Sequence, residues 1–301
     1  MRLLITGWQG QLARSLVEAA AARQEITALS LGRPALDLCA RPSILRSLSD
    51  HTPDLIINTA AYTAVDKAET DREAAFALNR DGAAMLAEAA AAQGIPIIHV
   101  STDYVFDGTK PTPYVETDPT GPRNVYGASK LAGEQAVAAA NRRHIILRTA
   151  WVHSPFGQNF VKTMLRLAAA RPRLGVVADQ HGNPTYAPHL AAAIIGLAIK
   201  IKSLNYNDIQ WGTYHATGSG ETTWHGLAQA VFAHSKAAGG PAAEADPIPA
   251  TAYPTPAARP ANSRLDCGKL ERNFAIRLPP WQDGAADCVA RLLQPSEQAS
   301  P

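Results

Sequence analysis

Apolar residues fall along this chain in two rhythms. Short continuous runs alternate with longer stretches in which apolar positions recur every three or four residues. The runs are RLLIT (2–6), EITALS (25–30), DLIINTA (54–60), PIIHVST (96–102) and HIILRTAWV (144–152). Between them, helical patterns cover Gln11 to about Ala22, 43–50, the alanine-rich 71–92, and 124–141. Continuous apolar strands that alternate with helices predict a parallel sheet buried on both faces. Right-handed crossovers then give an α/β fold, a Rossmann-type doubly wound parallel sheet, over residues 1–150.

The pattern loosens after residue 150. Helical periodicity returns at 159–170, 188–203 and 223–238, with strand candidates at 174–179 and 212–217. Pro241, Pro247, Pro249, Pro254, Pro256 and Pro260 then predict a stretch without regular structure. Short helices are expected over Cys267–Asn273 and from Trp281 to Leu293. Together these predict a smaller α/β domain over 151–295 that binds substrate, with about 174–200 a candidate to rejoin the first domain. Residues 296–301 are expected to be a disordered tail.

Composition narrows the partners. The chain of 301 residues is 46% hydrophobic and 18% charged, ordinary for a packed globular protein. Its 28 basic and 26 acidic residues leave a net charge of +2, which gives no electrostatic reason to expect nucleic acid or a membrane surface. No apolar stretch approaches the ~20 residues of a membrane helix, and the opening MRLLITGWQGQL does not read as a secretory signal. Three widely spaced cysteines, Cys39, Cys267 and Cys288, fit reduced thiols in the cytoplasm better than a disulfide framework or zinc site.

The candidate chemistry sits after the strands. Gly7 and Gly10 follow the first run and precede the first helix, where a glycine turn and a helix N-terminus can receive a pyrophosphate. A plain strand–helix turn is the alternative reading. After the second run stand Ser30 and Arg33, and no carboxylate appears until Asp37. An acid there would bind the ribose hydroxyl of NADH; an arginine suits the extra phosphate of NADPH, so NADPH is expected, with NADH the second option. Arg33 is otherwise a solvated loop cation.

Tyr126 and Lys130 lie four apart in NVYGASK and share a helix face. A nearby cation favours the phenolate, so Lys130 is expected to lower the pKa of Tyr126 and make it a usable proton donor. The same spacing also arises by chance in any helix. In VSTDYVFDG, Ser101, Thr102 and Asp103 follow a buried strand, where a hydroxyl can orient a substrate oxygen.

TGxxGQL, STDYVFDG, NVYGxSKLAGE and RTAWV resemble the extended short-chain dehydrogenase/reductases. AAYTAVDKAE (60–69), NFVKTMLRLA (159–168), DQHGNPT (179–185) and AYPTPAARPANSRLD (252–266) are similar, more narrowly, to the dTDP-4-dehydrorhamnose reductases, over Met1 to about Leu293. The resemblance implies reduction of the C4 ketone of dTDP-4-dehydro-β-L-rhamnose to dTDP-β-L-rhamnose, a precursor of cell-surface polysaccharide. It implies that Tyr126, Lys130 and Thr102 are catalytic, that Lys130 also holds the nicotinamide ribose, and that Asp103 lies beside the sugar. Gly7, Gly10, Gln11 and Leu12 would line the pyrophosphate, and Asp37 and Leu38 the adenine. Ala60, Ala61, Tyr62 and Thr63 would flank the middle of the cofactor. Trp151 would pack on the sugar nucleotide, and Arg259 and Arg264 would reach its diphosphate or sugar.

Three positions depart from the family pattern: Ala13 for glycine, His153 where tyrosine is frequent, and Ser30 where some members carry an acid. Some members associate through Mg²⁺ held by glutamates, but Ser15 and Pro188 stand at the corresponding places, so no metal is expected. The alanine-rich surface 83–92 fits either a homodimer contact or packing on the sheet. Two rival readings keep the fold: a nucleotide-sugar epimerase or dehydratase with tightly held NAD, and a non-catalytic reductase-like regulatory subunit.

Overall fold

The computed structural model describes residues 1–294; the expected disordered tail lies outside them. The first half builds β1 (Arg2–Thr6), α1 (Gln11–Ala21), β2 (Thr27–Leu31), α2 (Arg41–His51), β3 (Leu55–Asn58), α3 (Val65–Ala68), α4 (Arg72–Phe76), α5 (Ala83–Ala92), β4 (Ile97–Thr102), α6 (Val125–Ala140) and β5 (His144–Thr149). The second half adds β6 (Val152–His153), α7 (Phe160–Ala168), β7 (Arg173–Val177), β8 (His181–Gly182), β9 (Thr185–Tyr186), α8 (Ala187–Ser203) and β10 (Gly212–His215). It ends with β11 (Thr222–Thr223), α9 (Trp224–Ala237), β12 (Glu244–Ile248), α10 (Gly268–Phe274) and α11 (Trp281–Leu293).

Six strands form one parallel sheet in the order β10-β5-β4-β3-β1-β2. The apolar runs explain it: β3 is buried along its whole length, so it needs cover on both faces. Leu12 and Leu16 of α1 with Leu190 and Ile194 of α8 cover one face. Ile44 and Leu48 of α2, Leu86 of α5 and Val137 of α6 cover the other. Burying each such side chain contributes roughly 1.5–3 kcal/mol. The order reverses at β1, which has β2 on one side and β3 on the other, so a crevice opens at the carboxyl ends of these strands.

A second core joins Val161 and Leu165 of α7, Leu227 and Val231 of α9, and Val289 of α11. The chain returns to the first core through α8 and β10, whereas β7 pairs with β12 in an outer ribbon.

The structure corrects three sequence expectations. The helix expected over 71–92 is broken by a π-helical turn at Ala77–Gly82, where the extra residue per turn brings the Asn79 carbonyl against Gly133. A Cβ at Gly133 would fall 2.0 Å from that carbonyl oxygen. The run 144–152 stops at Thr149, because Trp151 adopts a positive φ of 47° and turns the chain into β6. The proline-rich stretch is not wholly irregular: Glu244–Ile248, with Pro247, pairs parallel with β7. Pro247 fits there because β12 has β7 as its one strand partner, and an edge strand can lack an N–H. The alanines of α5 pack inward on the sheet: Ala83, Ala87, Ala89 and Ala90 are all buried within the chain itself.

Candidate active site

At the crevice lies a cleft of about 1100 Å³. Its walls come from the ends of β1, β2, β4 and β5: Thr6, Leu31, Thr102 and Thr149. Gly7 begins the floor with φ +86°, and its N–H donates to Leu31 O at 2.7 Å. A side chain there would be strained and would press on Ala60, 3.3 Å away. Gly10 caps α1 without a side-chain hydrogen bond, and nothing lies within 4 Å of where its Cβ would stand. Backbone N–H groups of the first turn of α1 are therefore open to the cleft, a fit for a pyrophosphate.

The other expected cofactor residues divide. Gly7, Gly10, Gln11, Leu12, Arg33, Asp37, Leu38, Ala60, Ala61, Tyr62 and Thr63 all line the cleft. Ser30 does not; its hydroxyl is buried without a partner among the described residues. The side chain of Gln11 turns away from a phosphate role, since its Oε1 accepts from Ser154 Oγ at 2.8 Å and Asn159 Nδ2 at 2.9 Å. What Gln11 offers a ligand is its N–H.

Helix α6 carries the candidate pair, Tyr126 and Lys130. Asn124 caps it by accepting from Gly127 N at 2.7 Å. The glycine in YGASK has a packing cause: a Cβ at Gly127 would sit 2.2 Å from Tyr104 O. That close approach sets Tyr126 edge-on to Tyr104, ring centres 5.9 Å apart. Glu134 and Arg148 then fasten α6 to β5 through bonds of 2.9, 3.2 and 2.7 Å.

Tyr126, Lys130, Thr102 and Asp103 meet on one wall. The expected direction of the Tyr126 shift is reversed. Burial pushes the phenol up to about 12, the Asp103 charge adds to the rise, and the Thr102 hydroxyl opposes it. Lys130, only 2% exposed, is itself drawn down to about 8 by burial, against the pull of Glu134. Its Nζ donates to Val100 O at 2.7 Å and lies 3.4 Å from His99 Nε2. The fold thus favours a protonated phenol, which is the form that can give a proton.

Thr102 Oγ1 donates to Asp103 Oδ1 at 3.0 Å and accepts from Tyr104 N at 3.2 Å. Asp103 is raised to about 7, chiefly by burial, and its Oδ2 has no partner among the described residues.

Arg259 and Arg264, expected at the substrate, are both engaged in ion pairs beside the cleft. Arg259 grips Asp66 in a fork at 2.9 and 2.8 Å, which is why it does not line the cleft. Arg264 pairs with Glu221 at 2.7 Å and donates to Asn262 Oδ1 and Pro111 O, and it too stays outside the cleft wall. Trp151 does line the cleft, stacked on Trp224.

Several site residues carry no sequence motif. Trp224 and Trp8 line the cleft; Trp8 is 51% exposed and lies over Gly32, where a Cβ would meet its ring at 2.3 Å. Asn79 holds the loop after β3 to α6, accepting from Tyr62 N at 2.7 Å and donating to Tyr62 O at 3.1 Å and Ser129 Oγ at 2.9 Å. A lone asparagine inside an alanine-rich helix was its only signal.

A family model described as RmlD substrate binding domain matches residues 1–294. A dTDP-4-dehydrorhamnose reductase of Sinorhizobium fredii is 52% identical over 299 residues, 99% of this chain and 100% of that protein. One from Escherichia coli K12 is 44% identical over 97% of each chain. The crystal structure of a Bacillus anthracis dTDP-4-dehydrorhamnose reductase in complex with NADP aligns with a TM-score of 0.88 and 34% identity, covering 96% of this chain and 99% of that one. Family model and relatives thus run the length of the fold whose cleft joins the glycine turn to NVYGASK, and the chain belongs to the dTDP-4-dehydrorhamnose reductase family.

Proposed function

We propose that this protein reduces the C4 ketone of dTDP-4-dehydro-β-L-rhamnose to dTDP-β-L-rhamnose with NADPH, in the cytoplasm. One observation carries the reading: Tyr126, Lys130 and Thr102 share a single cleft with the open glycine turn at α1. The likeness to full-length reductases supplies the substrate.

The bound nicotinamide supplies the hydride. The first turn of α1 receives the pyrophosphate, and Ala60 to Thr63 border the middle of the cofactor. Arg33 stands at the far end as the candidate for the extra phosphate of NADPH. Tyr126 gives its proton to the C4 oxygen. The Thr102 hydroxyl, which donates to Asp103, would turn its one hydrogen to that oxygen and so orient it. Lys130 would hold the nicotinamide ribose. Trp151 and Trp224 wall the nucleotide-sugar end. The thiols Cys39, Cys267 and Cys288 are all free, in keeping with a reducing compartment.

The test is NADPH oxidation on addition of dTDP-4-dehydrorhamnose. Tyr126→Phe is expected to lower turnover by roughly 10²–10⁴-fold, the range for a lost general acid, while NADPH still binds. Wild-type protein that consumes no NADPH, or a Phe variant that turns over normally, overturns the reading. Stoichiometric NADPH consumption also separates reduction from an epimerase, which recycles its cofactor.

A further inference from the structure

The glycine turn and the loop after Trp151 meet through one side chain that the chemical step itself does not use. Gln11 opens α1, and its amide reaches the loop 152–159 that leads from β6 to α7. Gln11 Nε2 donates to Val152 O at 3.4 Å. Gln11 Oε1 accepts from Ser154 Oγ at 2.8 Å and from Asn159 Nδ2 at 2.9 Å. Asn159 in turn caps α7, accepting from Lys162 N at 3.1 Å, and its Nδ2 also donates to Ser154 O at 2.7 Å.

Backbone groups fix the direction of these bonds at both ends. The Lys162 N–H can only donate, so the Asn159 oxygen faces it. The Ser154 carbonyl can only accept, so the Asn159 nitrogen lies on the other side. That nitrogen has no lone pair to offer, so the Gln11 atom beside it is the oxygen. Gln11 Nε2 is then left for the Val152 carbonyl, which again can only accept. Both ends require the same orientation of the Gln11 amide.

The loop so held belongs to the cleft. Val152, Gly157 and Gln158 line it, next to Trp151. Gly157 passes close over the glutamine with φ +60°, and a Cβ there would stand 3.3 Å from Gln11 Cγ. Ser154 is 0% exposed, so its bond to Gln11 is shielded from water. A second tie from α1, Arg14 over the Phe156 ring at 4.0 Å, uses an exposed arginine and contributes less.

We propose that the Gln11 side chain is a positioning residue for the nucleotide-sugar wall: it fastens the loop that follows Trp151 to the turn whose N–H groups face the cofactor. One residue thus serves two ligands, the cofactor through its backbone and the sugar nucleotide through its side chain. Losing the amide loosens Val152 to Gln158 and leaves the phosphate turn in place, because Gly7 and Gly10 shape that turn. The effect on turnover rests on the reduction proposed above; the fastening does not.

The test separates the two ligands in the full-length protein. Gln11→Met keeps the length and the backbone N–H but removes the amide. KM for dTDP-4-dehydrorhamnose should rise roughly tenfold, as for the loss of about one or two hydrogen bonds, with kcat changing much less. Kd for NADPH, read from its fluorescence, should stay within about twofold. Asn159→Asp keeps the cap on α7 but sets an oxygen against Gln11. Whichever way the glutamine amide then turns, one of its ends meets an oxygen with no hydrogen between, so a similar rise in KM is expected. In the double variant the two rises should fall well short of additive. An unchanged KM in either variant, additive losses, or a loss of NADPH affinity as large as the rise in KM overturns the proposal. Should Gln11→Met fail to fold, Asn159→Asp still decides. Titration with dTDP, followed by tryptophan fluorescence, reads the wall without turnover. If the wild type binds dTDP but oxidises no NADPH, the reduction is contradicted, and dTDP bound roughly tenfold more weakly by either variant still supports the fastening, whereas equal affinity overturns it. A wild type that neither binds dTDP nor oxidises NADPH overturns both.

Discussion

Trp151 lies flat against Trp224, ring centres 3.6 Å apart and planes 6° from parallel. Phe160 adds a third ring 4.7 Å from Trp224. On the side of Gly182 a Cβ would fall 2.4 Å from the Trp151 indole, so that glycine makes room for it. The orientation of Trp151 is therefore set by Trp224 and by the space left at Gly182.

A first prediction follows from the stack. Trp224→Ala removes a contact worth about 0.5–1.5 kcal/mol beyond its area and frees Trp151 to rotate. KM for the nucleotide sugar is expected to rise roughly tenfold, with kcat changing much less, since ground-state binding is lost rather than transition-state contact. Steady-state kinetics measures the split. An unchanged KM would remove the stacked pair from the substrate wall.

The second concerns the tie that places α6. Glu134 and Arg148 are 4% and 6% exposed, and the guanidinium also lies 5.0 Å from the Phe106 ring centre. Glu134→Gln leaves the Arg148 charge buried without its counter-ion. It should cost about 3–5 kcal/mol, seen as a fall in the denaturation midpoint. Replacing both, Glu134→Leu with Arg148→Met, should recover most of that loss, because the charges leave together. A double variant no more stable than Glu134→Gln would contradict this account.

Much of the sheet was legible because its signal is local. β1, β3, β4 and β5 are apolar runs whose neighbours in sequence are also their neighbours in the strand–helix series. The Tyr126–Lys130 spacing was legible for the same reason, since one helix turn sets it. What escaped was set by partners far along the chain. The fork between Arg259 and Asp66 joins residues 193 positions apart, which no local pattern reports. Trp224 became a cleft residue by stacking on Trp151, and Pro247 became a strand residue by lying at an edge. The Tyr126 phenol is raised for a related reason: spacing reports the lysine, but only the fold reports the burial that is the largest cause of the rise.

The third prediction is a pH dependence of stability. Burial raises Asp103 to about 7 from an ordinary value of 3.8. Between these values the folded chain keeps a proton that the unfolded chain has released. Stability from this group is thus complete below about 4 and is lost as pH rises through about 7. Asp103→Asn stays neutral in both states and should lack the slope. From pH 5 to 8 the wild type should lose on the order of 2–3 kcal/mol relative to the variant, read from urea denaturation at each pH. Parallel pH profiles for the two proteins would show that Asp103 ionises normally in the fold.

The fourth prediction concerns Arg33 and the choice of cofactor. It lines the cleft beyond β2 and is exposed there, the one guanidinium on that wall among the described residues. The sequence offers no carboxylate between the end of β2 and Asp37, and Asp37 Oδ1 is already committed to Cys39 N at 2.9 Å. A phosphate beyond β2 thus finds a cation there. Arg33→Ser should raise KM for NADPH roughly 10–100-fold, the worth of about 1.4–2.8 kcal/mol, and leave KM for NADH nearly unchanged. The ratio of kcat/KM for the two cofactors measures the change. Equal losses with both would place Arg33 on the pyrophosphate or on the loop itself, because contacts to the shared half of the cofactor cannot discriminate between them.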